Sequence, residues 1–254
     1  MTDPTQSKPT AKERSHRFDE TTRTIFTAVL IALVIRMFAF EPFNIPSKSM
    51  VPGLLVGDFL FVTKFSYGYS SRSTMYGLLP LPGRLFNRAP ERGDVIVFKL
   101  PHDPGVDYIK RLVGLPGDNI QVRHGLLYIN GVAVTRQKLT VPTASNYLIP
   151  SATATDYIET FPNGHPHIIR EEADDYKLDN TGVFSVPAGN YFFMGDNRDN
   201  SQDSRTDNVG FVPEDNLVGR ADMLFFSLDD DARFWEFWKW PWSIRWARIF
   251  KRIN

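Results

Sequence analysis

The stretch NIQVRHGLLYINGVAV, residues 119–134, sets the fold class. Its runs of β-branched and aromatic residues are punctuated by His124-Gly125 and Asn130-Gly131, and such pairs between alternating apolar residues signal tight hairpin turns. Working outward, DFLFVTKF (58–65), DVIVFKL (94–100), GNYFFMGD (189–196) and ADMLFFS (221–227) also alternate or run apolar between Gly, Pro, Asn and Asp. Helix-period runs are nearly absent from Phe43 to Leu228. The expectation is a mainly β chain with one antiparallel β domain over 42–230. Residues from about 140 to 188, rich in Thr, Asn, Pro and acid, read as an inserted smaller subdomain that carries no chemistry of its own.

The two ends differ in kind from this middle. Residues 1–23 are polar, carry Lys8, Lys12, Arg14, Arg17 and Arg23, and read as a flexible cytoplasmic tail. IFTAVLIALVIRMFAF (25–40) is apolar apart from Thr27 and Arg36, and with its flanks it reaches the length of a single spanning helix, so 24–41 is expected to be a transmembrane anchor. Arg36, near the outer end, can snorkel to the headgroups. A cleaved secretory signal fits the same basic start, but no small-x-small site follows the run, and Phe40, Glu41, Pro42 and Phe43 suit a stop instead. The tail 231–254 holds all five Trp, with three Phe and six Lys or Arg, a mixture suited to the water-lipid boundary, although aromatics also complete cores. Pro241 breaks any continuous helix there.

Bulk properties narrow the chemistry. The 254 residues carry 29 basic and 29 acidic side chains, so no general basic field points to nucleic acid. The absence of Cys excludes disulfides, thiolate metal sites and a Cys nucleophile. His165 and His167 lack acidic or thiol neighbours at ligand spacing, and Asp199-x-Ser201-x-Asp203 lacks the Gly and the terminal Glu of a calcium loop. No metal is therefore expected.

What remains is hydroxyl chemistry. Ser47 and Ser49 lie two residues apart between Pro46 and Pro52, so one oxygen can attack while the other donates to a developing oxyanion; the same pattern is also that of an ordinary turn. The His residues offer no fitting base. Lys110, in the strand-like DYIKRLVG, is the other candidate, because apolar neighbours disfavour its ammonium; a solvent-facing strand lysine is the alternative.

The segments PSKSMVP (46–52), RGDVIVFKLPHDPGVDYIKRLVGLPGD (92–118) and GDNRDNSQDSR (195–205), in this order behind an anchor, resemble the signature boxes of bacterial signal peptidase I. The likeness spans roughly 43–118 and 191–223. It implies an anchored serine endopeptidase that removes N-terminal signal peptides from exported precursors through a Ser/Lys dyad and an acyl-enzyme, with no cofactor. Ser49 becomes the nucleophile and Lys110 its base, with the Ser47 hydroxyl and the Ser49 N–H as oxyanion hole and Ser201 orienting Lys110. Asp196, Arg198, Asp203 and Arg205, with Arg111, become supporting ion pairs. Ile45, Met50, Leu54, Tyr108 and Ile109 become shallow pockets selecting an Ala-x-Ala site.

The implied partners are precursor proteins and the lipid bilayer, with the amino terminus cytoplasmic and the catalytic domain on the periplasmic face of the bacterial inner membrane. Lys48 and Gly53 depart from the family's usual small residue and Thr, and only one anchor is evident where some relatives have two. Two other readings are a self-cleaving Ser/Lys protein, which would need a DNA-binding headpiece, and an anchored binding protein without catalysis, which would have lost Ser49 or Lys110.

Overall fold

Residues 119–134 form a meander of β5 (Asn119–Arg123), β6 (Leu126–Ile129) and β7 (Val132–Ala133), with β11 (Phe184–Ser185) on the free edge of β5. Both links are two-residue turns, and His124, Gly125, Asn130 and Gly131 all have positive φ (48°, 70°, 52° and 79°). Two successive left-handed residues match the twist of the flanking strands, which explains a polar residue followed by Gly at both corners. The computed structural model describes residues 11–74, 81, 83–140, 154–173, 175–229 and 236–253, with side chains from residue 20 onward.

The largest sheet has seven strands: β1 (Phe40–Asn44), β2 (Asp58–Thr63), β3 (Val95–Lys99), β4 (Asp107–Gly114), β12 (Asn190–Met194), β13 (Val212–Pro213) and β14 (Leu217–Ser227). Their order is β1-β2-β14-β3-β4-β12-β13, with every neighbour antiparallel. The mainly β, antiparallel expectation holds. Central β3 is apolar on both faces because both are covered. Val95 and Val97 pack with Leu60, Val62 and Leu224, while Ile96 and Phe98 pack with Leu112, Phe193 and Leu217.

The stretch expected to be an insertion supplies β9 (Thr155–Thr160) and β10 (Pro166–Glu171), which with β8 (Thr135–Lys138) form a third sheet in the order β10-β9-β8. Its residues 141–153 lie outside the described residues. A shared core of Val113, Phe192 and Met194 with Ile120, Leu127, Ile129 and Phe161 joins this region and the meander to the large sheet.

Helix α1 runs Ala11–Phe38, so it begins inside the stretch expected to be a flexible tail; residues 1–10 lie outside the described residues. Its part Glu20–Phe38, of mean hydropathy 1.6 and with none of it buried, is long and apolar enough to cross a membrane by length and composition. The helix ends at Phe38, inside the 24–41 stretch expected to be an anchor. Phe40 and Glu41 already pair with Thr63 and Val62 in β1, because Pro42 disfavours helix at the residue before it.

At the other end, the short helix α2 (Trp240–Ser243) has Pro241 in its first turn, where a missing N–H costs nothing. The chain then returns along β14: Arg245 N–H donates to the Ser227 carbonyl at 3.0 Å and Phe250 N–H to that of Leu224 at 2.8 Å. Trp242, Trp246 and Phe250 remain exposed. Residues 231–235, including Trp235, lie outside the described residues.

Candidate active site

The turn after β1 carries the serines. Pro46 and Pro52 bracket it, and Met50 and Leu54, both 1% exposed, anchor it in the core among Leu60, Val62 and Val97. Leu54 N–H donates to the Met50 carbonyl at 2.8 Å and Val51 N–H to that of Lys48 at 3.1 Å, which closes the turn. Ser49 is buried beneath it, while Ser47 is exposed with its Oγ 3.2 Å from Ser49 Oγ.

Lys110 reaches this turn from the middle of β4, paired to Ile96 of β3. It is 4% exposed, and its Nζ donates to Ser49 Oγ at 2.7 Å and to the Ile109 carbonyl at 3.0 Å. Burial lowers its pKa to about 8, against the opposing pull of Asp203 and Asp196. A buried ammonium loses its hydration without gaining a carboxylate in contact, so the neutral amine becomes accessible near physiological pH. Ser49 N–H donates to no acceptor among the described residues.

Behind the lysine, the segment after β12 is held by buried ion pairs. Arg111 Nε and Nη2 grip both oxygens of Asp196 at 2.7 and 2.8 Å, and Arg205 grips Asp203 at 2.9 Å from both Nε and Nη2. Burial alone would raise the Asp203 carboxyl, but Arg205, the Gly195 N–H and the Ser201 side hold it below the usual carboxylate range. Gly195 allows the closest approach: a Cβ there would lie 2.2 Å from Ser201 Oγ and 2.5 Å from the Ser49 carbonyl oxygen.

The family model described as "Signal peptidase, peptidase S26" matches residues 18–226. The chain belongs to the signal peptidase family S26. Signal peptidase I of Rickettsia typhi is 42% identical over 90% of this chain and 91% of its own length, and that of Rickettsia massiliae 41% identical over 89% of each. A crystal structure of a signal peptidase I from Enterococcus faecalis V583 aligns with a TM-score of 0.31 and 30% identity, covering 52% of this chain and 97% of that one.

Against the family's pattern, the structure brings Ser47, Ser49 and Lys110 together and separates other expected partners. Ser201, assigned to orient Lys110, makes no hydrogen bond to it. Its buried Oγ faces Gly195 near the Asp203 carboxylate, because the chain turns there to place Asp203 against Arg205. Of the five expected pocket residues, Ile45, Tyr108 and Ile109 line a cleft of about 770 Å³ together with Pro46, Val97 and Val218. Met50 and Leu54 do not line it, since the turn directs both inward to bury their apolar area. Lys48 is exposed, and Gly53 lies against the Asp196 carboxylate, where a Cβ would stand 2.9 Å from Oδ2.

Arg198 finds its partner outside the box. Its guanidinium forms a two-pronged pair with Glu159 of β9, Nη1 donating at 2.9 Å, and His167 Nε2 lies 3.1 Å from the same carboxylate. Burial pushes the Glu159 carboxyl up, but Arg198 and His167 hold it below the usual carboxylate range; burial and then Arg111 lower His167. The stretch read as chemically silent thus supplies the counter-charge for the third box. The only signal was an acidic residue at an apolar-flanked strand position in YIET (157–160).

Proposed function

We propose that this chain is a membrane-anchored serine endopeptidase that removes N-terminal signal peptides from exported precursors, with Ser49 as nucleophile and Lys110 as general base. The observation that carries the reading is the 2.7 Å contact between Lys110 Nζ and Ser49 Oγ at a site that holds the amine near pKa 8. In the neutral amine the direction of that hydrogen bond reverses, so the serine proton is already shared with its acceptor.

Ser49 Oγ attacks the scissile carbonyl carbon as its proton passes to Lys110 Nζ. The Ser47 hydroxyl and the Ser49 N–H face the oxyanion. The ammonium returns the proton to the leaving amine, which departs and leaves the acyl ester on Ser49. Lys110 then deprotonates a water that attacks the ester; Ser49 Oγ leaves and takes that proton back from the Lys110 ammonium, releasing the signal peptide with a new carboxylate and restoring the dyad. Arg111–Asp196 and Arg205–Asp203 hold the segment behind the lysine, and Ser201 acts on it indirectly through Asp203. No cofactor or metal enters the scheme.

The cleft between Pro42–Pro46 and Asp107–Ile109 suits an extended peptide laid along the strand edges, with Ile45 and Ile109 in its lining. Shallow apolar contacts at Ile45 and Ile109 would favour the small side chains of an Ala-x-Ala site by clash with larger ones. The apolar part of α1 anchors the protein in the bacterial inner membrane with the amino terminus cytoplasmic and the catalytic domain periplasmic, and the exposed Trp242, Trp246 and Phe250 rest at the lipid surface.

The test is cleavage of a secretory precursor with an Ala-x-Ala site by the detergent-solubilised chain, next to folded Lys110→Ala. Product of the length set by the second Ala, lost in the variant, supports the reading. Equal cleavage by both removes Lys110 as base, and no cleavage by either leaves an anchored binding protein.

A further inference from the structure

Asn197 has no part in the scheme above, yet it touches the nucleophile turn more directly than any of the ion-paired residues. It follows Asp196 and is 5% exposed. Its main-chain N–H donates to the Ser49 carbonyl at 3.1 Å, and its side-chain Nδ2 donates to the Lys48 carbonyl at 3.0 Å. A carbonyl can only accept, so the side-chain amide must present its nitrogen there. Val51 N–H makes a second bond to the same Lys48 oxygen, at 3.1 Å.

The planarity of the peptide bond gives these contacts a consequence. The Lys48 carbonyl and the Ser49 N–H belong to one trans peptide unit and therefore point in opposite directions. Two donors that hold the Lys48 oxygen inward turn the Ser49 N–H outward, where it has no acceptor among the described residues. Small polar turns between prolines have more than one accessible peptide orientation. Rotation of this single unit would put a carbonyl oxygen where the oxyanion forms, exchanging attraction for repulsion.

We propose that Asn197 is a positioning residue for the oxyanion hole: its side-chain amide locks the Lys48–Ser49 peptide so that the Ser49 N–H faces the developing charge. The inference rests on the serine-peptidase reading of Ser49 and deepens it. Asn197 touches neither Lys110 nor the expected substrate cleft, so its effect falls on the transition state, with binding and the titration of the base left intact.

The experiment uses the full chain in detergent, with Asn197→Ala and the same-sized Asn197→Asp, which replaces the donor by a carboxylate. Removing one oxyanion-hole donor outright lowers kcat by about 100- to 1000-fold. Loosening one is expected to lower kcat by about 10- to 100-fold in Asn197→Ala and by more in Asn197→Asp, with KM within about threefold. Affinity for a peptide boronic acid that forms a tetrahedral adduct on Ser49 should fall by the same factor as kcat. Affinity for the cleaved signal peptide and the pH midpoint of kcat should not move.

Equal weakening of both ligands, a shifted pH midpoint, or unchanged kcat in a folded variant overturns the proposal. If one variant fails to fold, the other decides by the same readouts. Cleavage by the unmodified chain in the same assay shows that a negative result concerns Asn197 and leaves the peptidase reading standing; if the unmodified chain does not cleave, that reading fails and this inference falls with it.

Discussion

Replacing Lys110 by methionine removes the proposed base while keeping a long side chain in the same space. Burial depresses the amine from 10.5 to about 8. At about 1.4 kcal/mol per pKa unit, this shift amounts to about 3 kcal/mol of disfavour for the buried ammonium. The unfolded chain binds more protons than the folded one between about pH 8 and 10.5, so stability climbs with pH through that window and the full cost is present below about 8. At pH 7 the methionine variant escapes that cost and loses the two hydrogen bonds to Ser49 and the Ile109 carbonyl, worth about 1 kcal/mol each, a net gain of about 1 kcal/mol. For a chain of this size the gain raises Tm by roughly 2–4 °C, and it fades by about pH 10.

Activity moves the other way. The variant should not cleave, and kcat/KM of the unmodified chain should rise about tenfold from pH 6 to 7 and level off above about 8, as the neutral fraction grows from about one-tenth at pH 7 to about nine-tenths at pH 9. Precursor cleavage from pH 6 to 10 and thermal melting at pH 7 and 10 read both effects. A flat pH profile, cleavage by the variant, or a Tm at pH 7 several degrees below that of the unmodified chain would refute the reasoning.

Further outcomes follow from other contacts. Gly195→Ala places a methyl 2.2 Å from Ser201 Oγ and 2.5 Å from the Ser49 carbonyl, so the third box must retreat; kcat/KM should fall about 100-fold or more with circular dichroism unchanged. Glu159→Gln leaves buried Arg198 without its counter-charge, at a cost of about 3 kcal/mol or more, and thermal melting should show a Tm lower by roughly 6–12 °C. Arg248 donates to the Gly53 carbonyl at 3.0 Å and to both oxygens of buried Asp58, tying the C-terminal segment to the chain just beyond the Ser47–Ser49 turn. Arg248→Ala should lower Tm and kcat/KM together. Paired with Asp58→Asn, it should lose less stability than the two single losses summed, measured by denaturant unfolding.

Much of the fold is readable from local pattern. Alternation in residues 119–134 and their two polar-Gly corners specify the meander, since strand period and turn chemistry act over a few residues. The apolar run before Phe40 specifies a helix long enough to span, whereas the helix end at Phe38 follows from β1 pairing at Phe40 and Glu41, which hydropathy does not register. The signature boxes named Ser47, Ser49 and Lys110, which the fold does bring together.

Position across the sheet is what sequence could not supply. Lys110 and Ser49 are 61 residues apart, and their 2.7 Å contact depends on the register of β4 against β3 and on how the turn after β1 folds over that edge. The same long-range packing sends Met50 and Leu54 into the core and leaves Ile45, Tyr108 and Ile109 on the cleft; apolar residues of similar type look alike until a turn assigns each a side. Glu159 pairs with Arg198 and Asn197 seats the Lys48–Ser49 peptide because distant segments meet in three dimensions. The sequence by itself determined the meander, most strands of the large sheet and the apolar helix, and it supplied the candidate residues Ser47, Ser49 and Lys110. The tertiary structure decided their distances, their burial and hence the lowered pKa of Lys110, because desolvation and hydrogen-bond geometry depend on neighbours far away along the chain.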